Sequence, residues 1–248
     1  MKDLTVIIPI DKASEEVSVL LKKAYNSIPK ESKCIFIGPE GMELPEGGAE
    51  SSFIANDDVN LPTQINKAVE QVKTTFFSVL EYDDFYTPNW FKNVETRIES
   101  NPEVFGYLPI CEGFEFGDDA HVIGYINEPV WASSFSQRLG YFDIESLTTY
   151  PEANCTGGVF RTADFIEVGG LKESMKVSFW YEFLLRALHK AKDIFVIPKV
   201  GYKHCYGRPG SLSEIYRETL SKEEAQWWVE LAKQEYFFKK DRKKKYEE

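Results

Sequence analysis

Residues 75–84 read Thr-Phe-Phe-Ser-Val-Leu-Glu-Tyr-Asp-Asp, an apolar run that ends in a cluster of carboxylates. The run predicts a buried strand, and Glu81, Asp83 and Asp84 follow at the point where that strand ends. Carboxylates crowded at one edge of a sheet repel each other unless a cation is present, and oxygen ligands suit a divalent metal. The pattern predicts a metal site, although acidic turns that simply precede a helix are also common after strands.

The chain before this run alternates between strand patterns and helix patterns. The predicted strands are 4–10, 34–37 and 52–55, and the predicted helices are 14–27 and 62–73. Continuous apolar strands separated by amphipathic helices are typical of a doubly wound parallel sheet that is covered on both faces. Ligands of such sheets bind beyond the carboxyl ends of the strands, which is where the acidic cluster falls.

The chain after this run is less regular. We expect a helix at 89–100, a strand at 104–110, a strand at 195–202 and a helix that begins near 221. The segment 111–156 has weak periodicity and predicts loops, a hairpin and short helices, a kind of insertion that is often functional. The predicted organisation is one domain over 1–220, followed by a C-terminal helix with a basic tail over 221–248.

Composition narrows the class of protein. The 248 residues are 43% hydrophobic and can bury a full core. The net charge of −11 argues against a general nucleic-acid surface, because phosphate binding depends on Lys and Arg. The basic run 239–245 is the exception. It either touches an anionic partner or is the solvated end of a helix.

The cysteines and the hydropathy pattern favour a cytoplasmic location. Cys34, Cys111, Cys155 and Cys205 show no Cys-x-x-Cys spacing, and we expect reduced thiols. No apolar stretch approaches the ~20 residues that a membrane span requires. We therefore expect neither export nor a membrane anchor.

Several motifs in the right order resemble the family-two, GT-A-type glycosyltransferases over about residues 4–215. The matching stretches are Thr5–Pro9, Asn26–Ile28, Asn66 in its helix, Leu80–Asp84 against the family's L-D-x-D-D, Gly157–Arg161, Val168–Glu173, Tyr202–His204 and Gly210–Ser213. The resemblance implies an α/β fold of the GT-A-like (Rossmann-like) type. It has a mostly parallel sheet flanked by helices and an irregular acceptor-side insertion.

The resemblance also implies a metal-dependent, inverting transferase that uses a nucleotide-sugar donor. Asp83 would be the main ligand of Mn²⁺ or Mg²⁺, helped by Glu81, Asp84 and His204. An imidazole ligand suits Mn²⁺ better than Mg²⁺. The plain alternative for His204 is a hydrogen-bonded structural histidine. The acceptor would be a hydroxyl of a glycan, a protein or a modified nucleic acid.

Further site residues follow from the same resemblance. The candidates for donor binding are Pro9, Glu40, Asp57, Asn66, Glu81, Arg208 and Ser211, with Asp58 as an alternative to Asp57. The candidates for acceptor binding are Gly157 and Gly158, together with Trp131, because carbohydrate acceptors stack on exposed aromatic faces. The strand that usually ends in nucleobase-binding Asp residues ends here in Ile37-Gly38-Pro39-Glu40-Gly41. Nucleotide identity therefore stays open, and Gly38 and Gly41 also fit a plain turn.

The motif that carries the catalytic base is where this sequence departs most from the family pattern. The family places it in an E-D-x-D/E-L-x-x-R helix start, and aligning on Arg186 puts Glu182 at the second acidic position. Phe179 and Trp180 occupy the usual E-D pair. Glu182 is the predicted base, with Glu152 or Asp143 as alternatives, while a simple i,i+4 ion pair with Arg186 is the plain reading. The departure also admits a noncatalytic GT-A-fold descendant acting as a virion or sugar-binding component.

A finer resemblance concerns proteins encoded by tailed bacteriophages. It rests on Asn127–Ala132, on the Phe-Ser and Leu-Gly pairs that follow, and on Trp180–Arg186. It implies host cytoplasm or a virus particle as the setting. A transferase acting on modified bases in phage DNA is a third hypothesis, favoured only by the basic tail.

Overall fold

The computed structural model describes residues 1–117, 121–151 and 153–246, with side chains described as far as Gln234. The described residues form a mixed sheet in the order β3-β2-β1-β4-β8-β6-β9-β5, with β7 paired to β6. The strands are β1 Leu4–Pro9, β2 Lys33–Gly38, β3 Glu50–Ala55, β4 Phe76–Val79, β5 Phe85–Tyr86, β6 Gly106–Glu115, β7 Val122–Ile126, β8 Val159–Arg161 and β9 Ile194–Tyr206.

Helices flank this sheet and fill the connections. They are α1 Glu15–Asn26, α2 Leu61–Val69, α3 Trp90–Ser100, α4 Ile144–Thr149, α5 Thr162–Val168, α6 Phe179–His189, α7 Leu212–Thr219 and α8 Lys222–Tyr246, with a 3-10 helix at Glu128–Trp131. No helix in the described ranges has both the length and the apolarity to cross a bilayer.

The first half of the sheet is parallel, as predicted. β1 pairs with β2 and with β4, and β2 pairs with β3, all in parallel register. Every residue of β1 is buried, which explains its unbroken apolar sequence. The crossover helices start at side-chain caps: Ser14 accepts a hydrogen bond from the Val17 amide, and Asn60 accepts one from the Thr63 amide. The carboxyl ends of β1 and β4 therefore meet at one edge.

The second half of the sheet mixes directions. β8 runs antiparallel to both β4 and β6, whereas β6 and β9 run parallel. The pairing of β6 with β9 extends to Glu115 and Tyr206, well past the predicted ends of both strands, through register shifts around Ile110. Segment 111–156 contains the predicted hairpin, formed by β6 and β7, and short helices. The long β9 returns the chain to the edge where β4 ends, and the GT-A-like α/β prediction is confirmed.

Hydrophobic cores lie on both faces of the sheet. Ile7 belongs to the core under α2, α5 and α6, while its neighbours Val6 and Ile8 belong to the core under α1 and α3. α8 packs on the first core through Trp228 and Ala232. The division into 1–220 and 221–248 stays a prediction, and the side chains of the basic tail lie outside the described residues.

Candidate functional site

The acidic cluster after β4 forms a tight turn at the carboxyl edge of the sheet. The Asp84 amide donates to the Glu81 carbonyl at 3.0 Å. The Asp84 side chain is 1% exposed; its Oδ2 lies 2.7 Å from His204 Nδ1, and its Oδ1 accepts a 2.7 Å hydrogen bond from the Cys205 amide. The predicted approach of His204 to the acidic cluster is therefore present in the structure.

Glu81, Asp84 and His204 offer ligand atoms that lie close enough together to hold a metal ion. One potential ligand atom from each lies within 4.8 Å of the others. Burial, followed by the Asp84 charge, raises the pKa of Glu81 to about 7, against the opposing effects of His204 and of a hydrogen bond from Thr156. Asp84 is buried, and Glu81 and His204 are half-buried. Two carboxylates and one imidazole suit a divalent cation, and Mn²⁺ better than Mg²⁺.

His204 is also suited to neutralise this cluster by itself. Burial opposes its charged form, but the Asp84 charge and hydrogen bond, with Glu81 and Asp83 further away, raise the pKa of His204 to about 10. The protonated imidazole then offsets one of the buried negative charges. The surroundings of His204 are therefore compatible with two roles, that of a metal ligand and that of a hydrogen-bonded structural cation.

Asp83 has a different partner from its neighbours. Its Oδ2 accepts a 2.7 Å hydrogen bond from Arg208 Nε, and the two side chains are 9% and 2% exposed respectively. Burial and the Asp84 charge raise the pKa of Asp83, while Arg208 opposes the shift. Arg208 Nη2 donates to the Tyr82 hydroxyl, which donates to Asp11 Oδ1 at 2.8 Å. Asp83 is thus paired with a cationic side chain, and it does not belong to the group of ligand atoms formed by Glu81, Asp84 and His204.

A cavity of about 390 Å³ opens beyond this edge, a size suited to a small-molecule ligand. Of the predicted site residues, six line it: Pro9, Glu81, Asp83, His204, Arg208 and Ser211. The Ser211 hydroxyl also caps α7 by accepting from the Glu214 amide. Arg208 Nη1 is enclosed and has no hydrogen-bond partner among the described residues. The cavity therefore combines the acidic cluster with a buried guanidinium.

Three predicted donor-binding residues lie elsewhere. Glu40 and Asp57 are exposed loop residues, and neither lines the cavity. Asn66 bonds to both the amide and the carbonyl of Leu171, at 2.8 Å each, and to Glu173 Oε1 at 3.1 Å. Asn66 thus fastens the turn after α5 to α2. These hydrogen bonds give Asn66 a structural role in the fold.

Sequence reasoning missed several cavity residues, namely Asp11, Asn60, Gln64 and Tyr82. Two of them lie at the start of α2. A signal was present: Asn60 followed by Pro62 and Thr63 marks a capped helix start, and a helix after a parallel strand starts at the carboxyl edge. Gln64 faces the same edge from the first turn of this helix.

Glu182, the predicted base, is buried away from the cavity. It lies in α6 at 4% exposure, 3.1 Å from Lys172 Nζ, and it accepts hydrogen bonds from Arg186 at 3.0 and 2.9 Å. The plain reading, an ion pair with Arg186, is what the structure shows. Phe179 and Trp180 line the cavity instead.

Asp143, one of the two alternative bases, does not line the cavity. Asp143 caps α4, accepting from the Ser146 amide at 2.7 Å and from the Gln137 amide at 3.0 Å. Burial opposes ionisation, but these hydrogen bonds lower the pKa of Asp143. Glu152 lies outside the described residues.

The predicted acceptor residues are engaged in packing. Trp131 packs edge-on against Phe195 at 5.8 Å. Gly157 has a φ of +76°, and a Cβ there would lie 2.3 Å from the Tyr202 ring. Gly158 accepts a 2.6 Å hydrogen bond from the Ser78 hydroxyl. None of these three residues lines the cavity, and their acceptor role stays a prediction.

Comparison with known proteins gives a likeness in structure. No family model and no curated protein sequence matches the chain. The structure of S. aureus TarS 1–349 matches with a TM-score of 0.59 and 16% identity, covering 83% of this chain and 60% of that one. The complex of the same protein with UDP-GlcNAc gives 0.63 and 17%, covering 86% and 61%. The complex with UDP gives 0.59 and 18%, covering 88% and 63%.

The chain thus spans about three fifths of the TarS 1–349 structures that it resembles. At this level of identity the likeness concerns the fold alone. The chain has a GT-A-like glycosyltransferase fold.

Proposed function

We propose that this chain is a nucleotide-sugar-dependent glycosyltransferase domain that holds a divalent cation at Glu81, Asp84 and His204. The observation that carries the proposal is the convergence of these three ligand atoms within 4.8 Å. Two of the three residues, Glu81 and His204, line a cavity together with the buried Arg208, and Asp84 lies buried behind them. The likeness to a protein crystallised with UDP-GlcNAc and with UDP supports a nucleoside diphosphate as the leaving group.

The reaction places clear demands on the site. The bond from the anomeric carbon to the diphosphate oxygen breaks, and the acceptor hydroxyl oxygen bonds to that carbon while its proton passes to a base. A single displacement of this kind inverts the anomeric centre. A divalent cation bound there would neutralise charge on the departing diphosphate. Glu81, Asp84 and His204 would hold that ion in place.

Asp83 takes a supporting part in this proposal. Because its carboxylate bonds to Arg208 Nε, it fixes the plane of the guanidinium at the cavity wall. Arg208 is in turn held by Tyr82, which leaves Nη1 as its unbonded nitrogen among the described residues. We infer that Asp83 orients Arg208 toward the donor, while the other three residues supply the cation ligands.

A noncatalytic sugar-nucleotide-binding component is the second candidate. Phe179 and Trp180 line the cavity where the family resemblance leads us to expect carboxylates, and Glu182 is neutralised by Lys172 and Arg186. This observation favours binding without transfer. Donor binding accompanied by release of the nucleoside diphosphate would exclude this candidate.

The test is thermal unfolding of the purified protein with UDP, GDP, CDP and their sugar conjugates, each with and without Mn²⁺. We expect one nucleotide to raise the unfolding temperature only when Mn²⁺ is present. Glu81→Gln should remove that increase, whereas Glu99→Gln, an exposed carboxylate in α3, should keep it. No increase with any nucleotide in the wild type would refute the proposal.

A second measurement addresses catalysis and the remaining predictions. Release of nucleoside diphosphate from the donor that binds, with NMR of the product's anomeric proton, tests transfer and inversion together. The acceptor, the cytoplasmic location, the phage-subgroup resemblance and the virion association stay predictions. The four buried, unpaired cysteines are compatible with a reducing compartment.

A further inference from the structure

A buried amide at the β1 side of the cavity has a defined orientation. Gln64 is 2% exposed and lines the cavity. Its Nε2 donates to the Ile10 carbonyl and to the Asp58 carbonyl, at 2.9 Å each. Both hydrogens of the amide nitrogen are therefore used to join the end of β1 to the loop before α2.

The hydrogen-bond partners exclude the alternative orientation of the Gln64 side chain, in which Nε2 and Oε1 exchange places. Both partners are carbonyl oxygens, which only accept hydrogen bonds, so the nitrogen and not the oxygen must face them. Gln64 Oε1 is then directed elsewhere, and it accepts no hydrogen bond from the part of the chain that the structure describes. Because Gln64 lines the cavity, its oxygen offers an acceptor to a ligand with a suitably placed N–H or O–H.

The position of Gln64 indicates which part of a donor it meets. The cation ligands follow β4 and end β9, whereas Gln64 bonds to the carbonyl that follows β1, the neighbour of β4 on the side away from β9. Gln64 therefore lies on the β1 side of the cation ligands, where the nucleoside of a diphosphate held at the cation would meet it if it extended over β1. The neighbouring wall also presents an acceptor, since Asp11 lines it and is bonded through Oδ1 to Tyr82.

We propose that Gln64 Oε1 accepts a hydrogen bond from the ring N–H of a lactam nucleobase, either N3–H of uracil or N1–H of guanine. This inference rests on the proposed function. The corresponding ring nitrogens of cytosine and adenine carry no hydrogen, so they would face the amide oxygen as a second acceptor. Gln64 thus selects the class of donor nucleotide.

Calorimetric titration with Mn²⁺ present tests this directly. UDP, GDP, CDP and ADP are compared first, and we expect UDP or GDP to bind most tightly. The base-methylated form of that nucleotide, N3-methyl-UDP or N1-methyl-GDP, is then titrated. Methylation replaces the proposed N–H donor by a methyl group, and we expect it to weaken binding to the wild type by about tenfold or more.

Two variants locate the effect. In Gln64→Leu the parent and methylated nucleotides should bind with similar affinity, because the acceptor is gone. In Asp11→Asn, a neighbouring acceptor of the same cavity wall, the difference should persist. If methylation has no effect on the wild type, or if the difference survives in Gln64→Leu, the assignment of Gln64 is refuted and the proposed function stands. If no nucleotide binds at all, both are refuted.

Discussion

Replacement of Glu182 by Gln separates the two roles considered for this residue. As the catalytic base, Glu182 would be needed for transfer and dispensable for folding. As the partner of Lys172 and Arg186, it is needed for stability. The substitution keeps the size and shape of the side chain and removes its charge, so it changes little else in α6.

The structure gives the size of the expected loss. Removing one partner of a buried ion pair typically costs about 3–5 kcal/mol, because the remaining charge stays buried and unpaired. Lys172 and Arg186 keep 25% and 15% of their side-chain exposure, and Arg186 retains hydrogen bonds to the Val168 and Gly170 carbonyls. We therefore expect a smaller loss of about 2–3 kcal/mol in the free energy of unfolding. This corresponds to a fall of roughly 4–12 °C in Tm.

Thermal unfolding and donor turnover are measured on the same preparations, well below the Tm of the variant. We expect Glu182→Gln to lose stability and to keep turnover within about twofold of wild type. Glu99→Gln should change stability by less than about 0.5 kcal/mol. A Glu182→Gln protein with wild-type stability and turnover reduced by about a hundredfold or more would show that Glu182 is the base and that our reasoning is wrong.

Three further predictions concern stability and can be checked by urea unfolding. Arg208→Met should cost about 3–5 kcal/mol because it leaves the buried Asp83 carboxylate unpaired, and adding Asp83→Asn should recover most of that loss; an equal loss in the double variant would contradict this. Asn66→Ala should cost about 2–3 kcal/mol, since it removes hydrogen bonds that join α2 to the turn after α5, while donor affinity at low temperature stays unchanged. Gly157→Ala should cost at least about 2 kcal/mol through its clash with Tyr202, and a stable variant with weakened acceptor binding would restore the acceptor role instead.

The parallel half of the fold was predictable because its strands are continuous apolar runs. β1, β2 and β4 are buried on both faces, and the local apolar sequence of each strand is enough to predict this burial. β8 was not identified as a strand, since three residues between two other strands carry no periodic pattern of their own. The extent of β9 was also underestimated. Its last residues pair with β6, and that pairing is a property of the tertiary fold.

The candidate site was predictable to a similar degree. Glu81, Asp84 and His204 were identified from their places after or within strands that end at one edge, and the structure brings them together. The contact between Asp83 and Arg208 was not predicted, because the two residues are 125 positions apart and no local sequence pattern indicates that they meet. Gly157 and Gly158 were predicted to bind the acceptor from their motif positions alone. The structure gives a steric reason for glycine at position 157, because the Tyr202 ring leaves no room for a Cβ there.

The wall formed by α7 has a consequence for access to the cavity. Leu212, Ser213 and Tyr216 face the cavity, yet none of the residues of α7 is buried. Segments with so little buried surface detach at a small free-energy cost compared with the strands. Amide hydrogens of α7 should therefore exchange with deuterium long before those of β1 and β4. For the proposed nucleotide-sugar donor, transient detachment of this one short helix would open a route to the cavity, while the sheet edge that holds the acidic cluster keeps its shape.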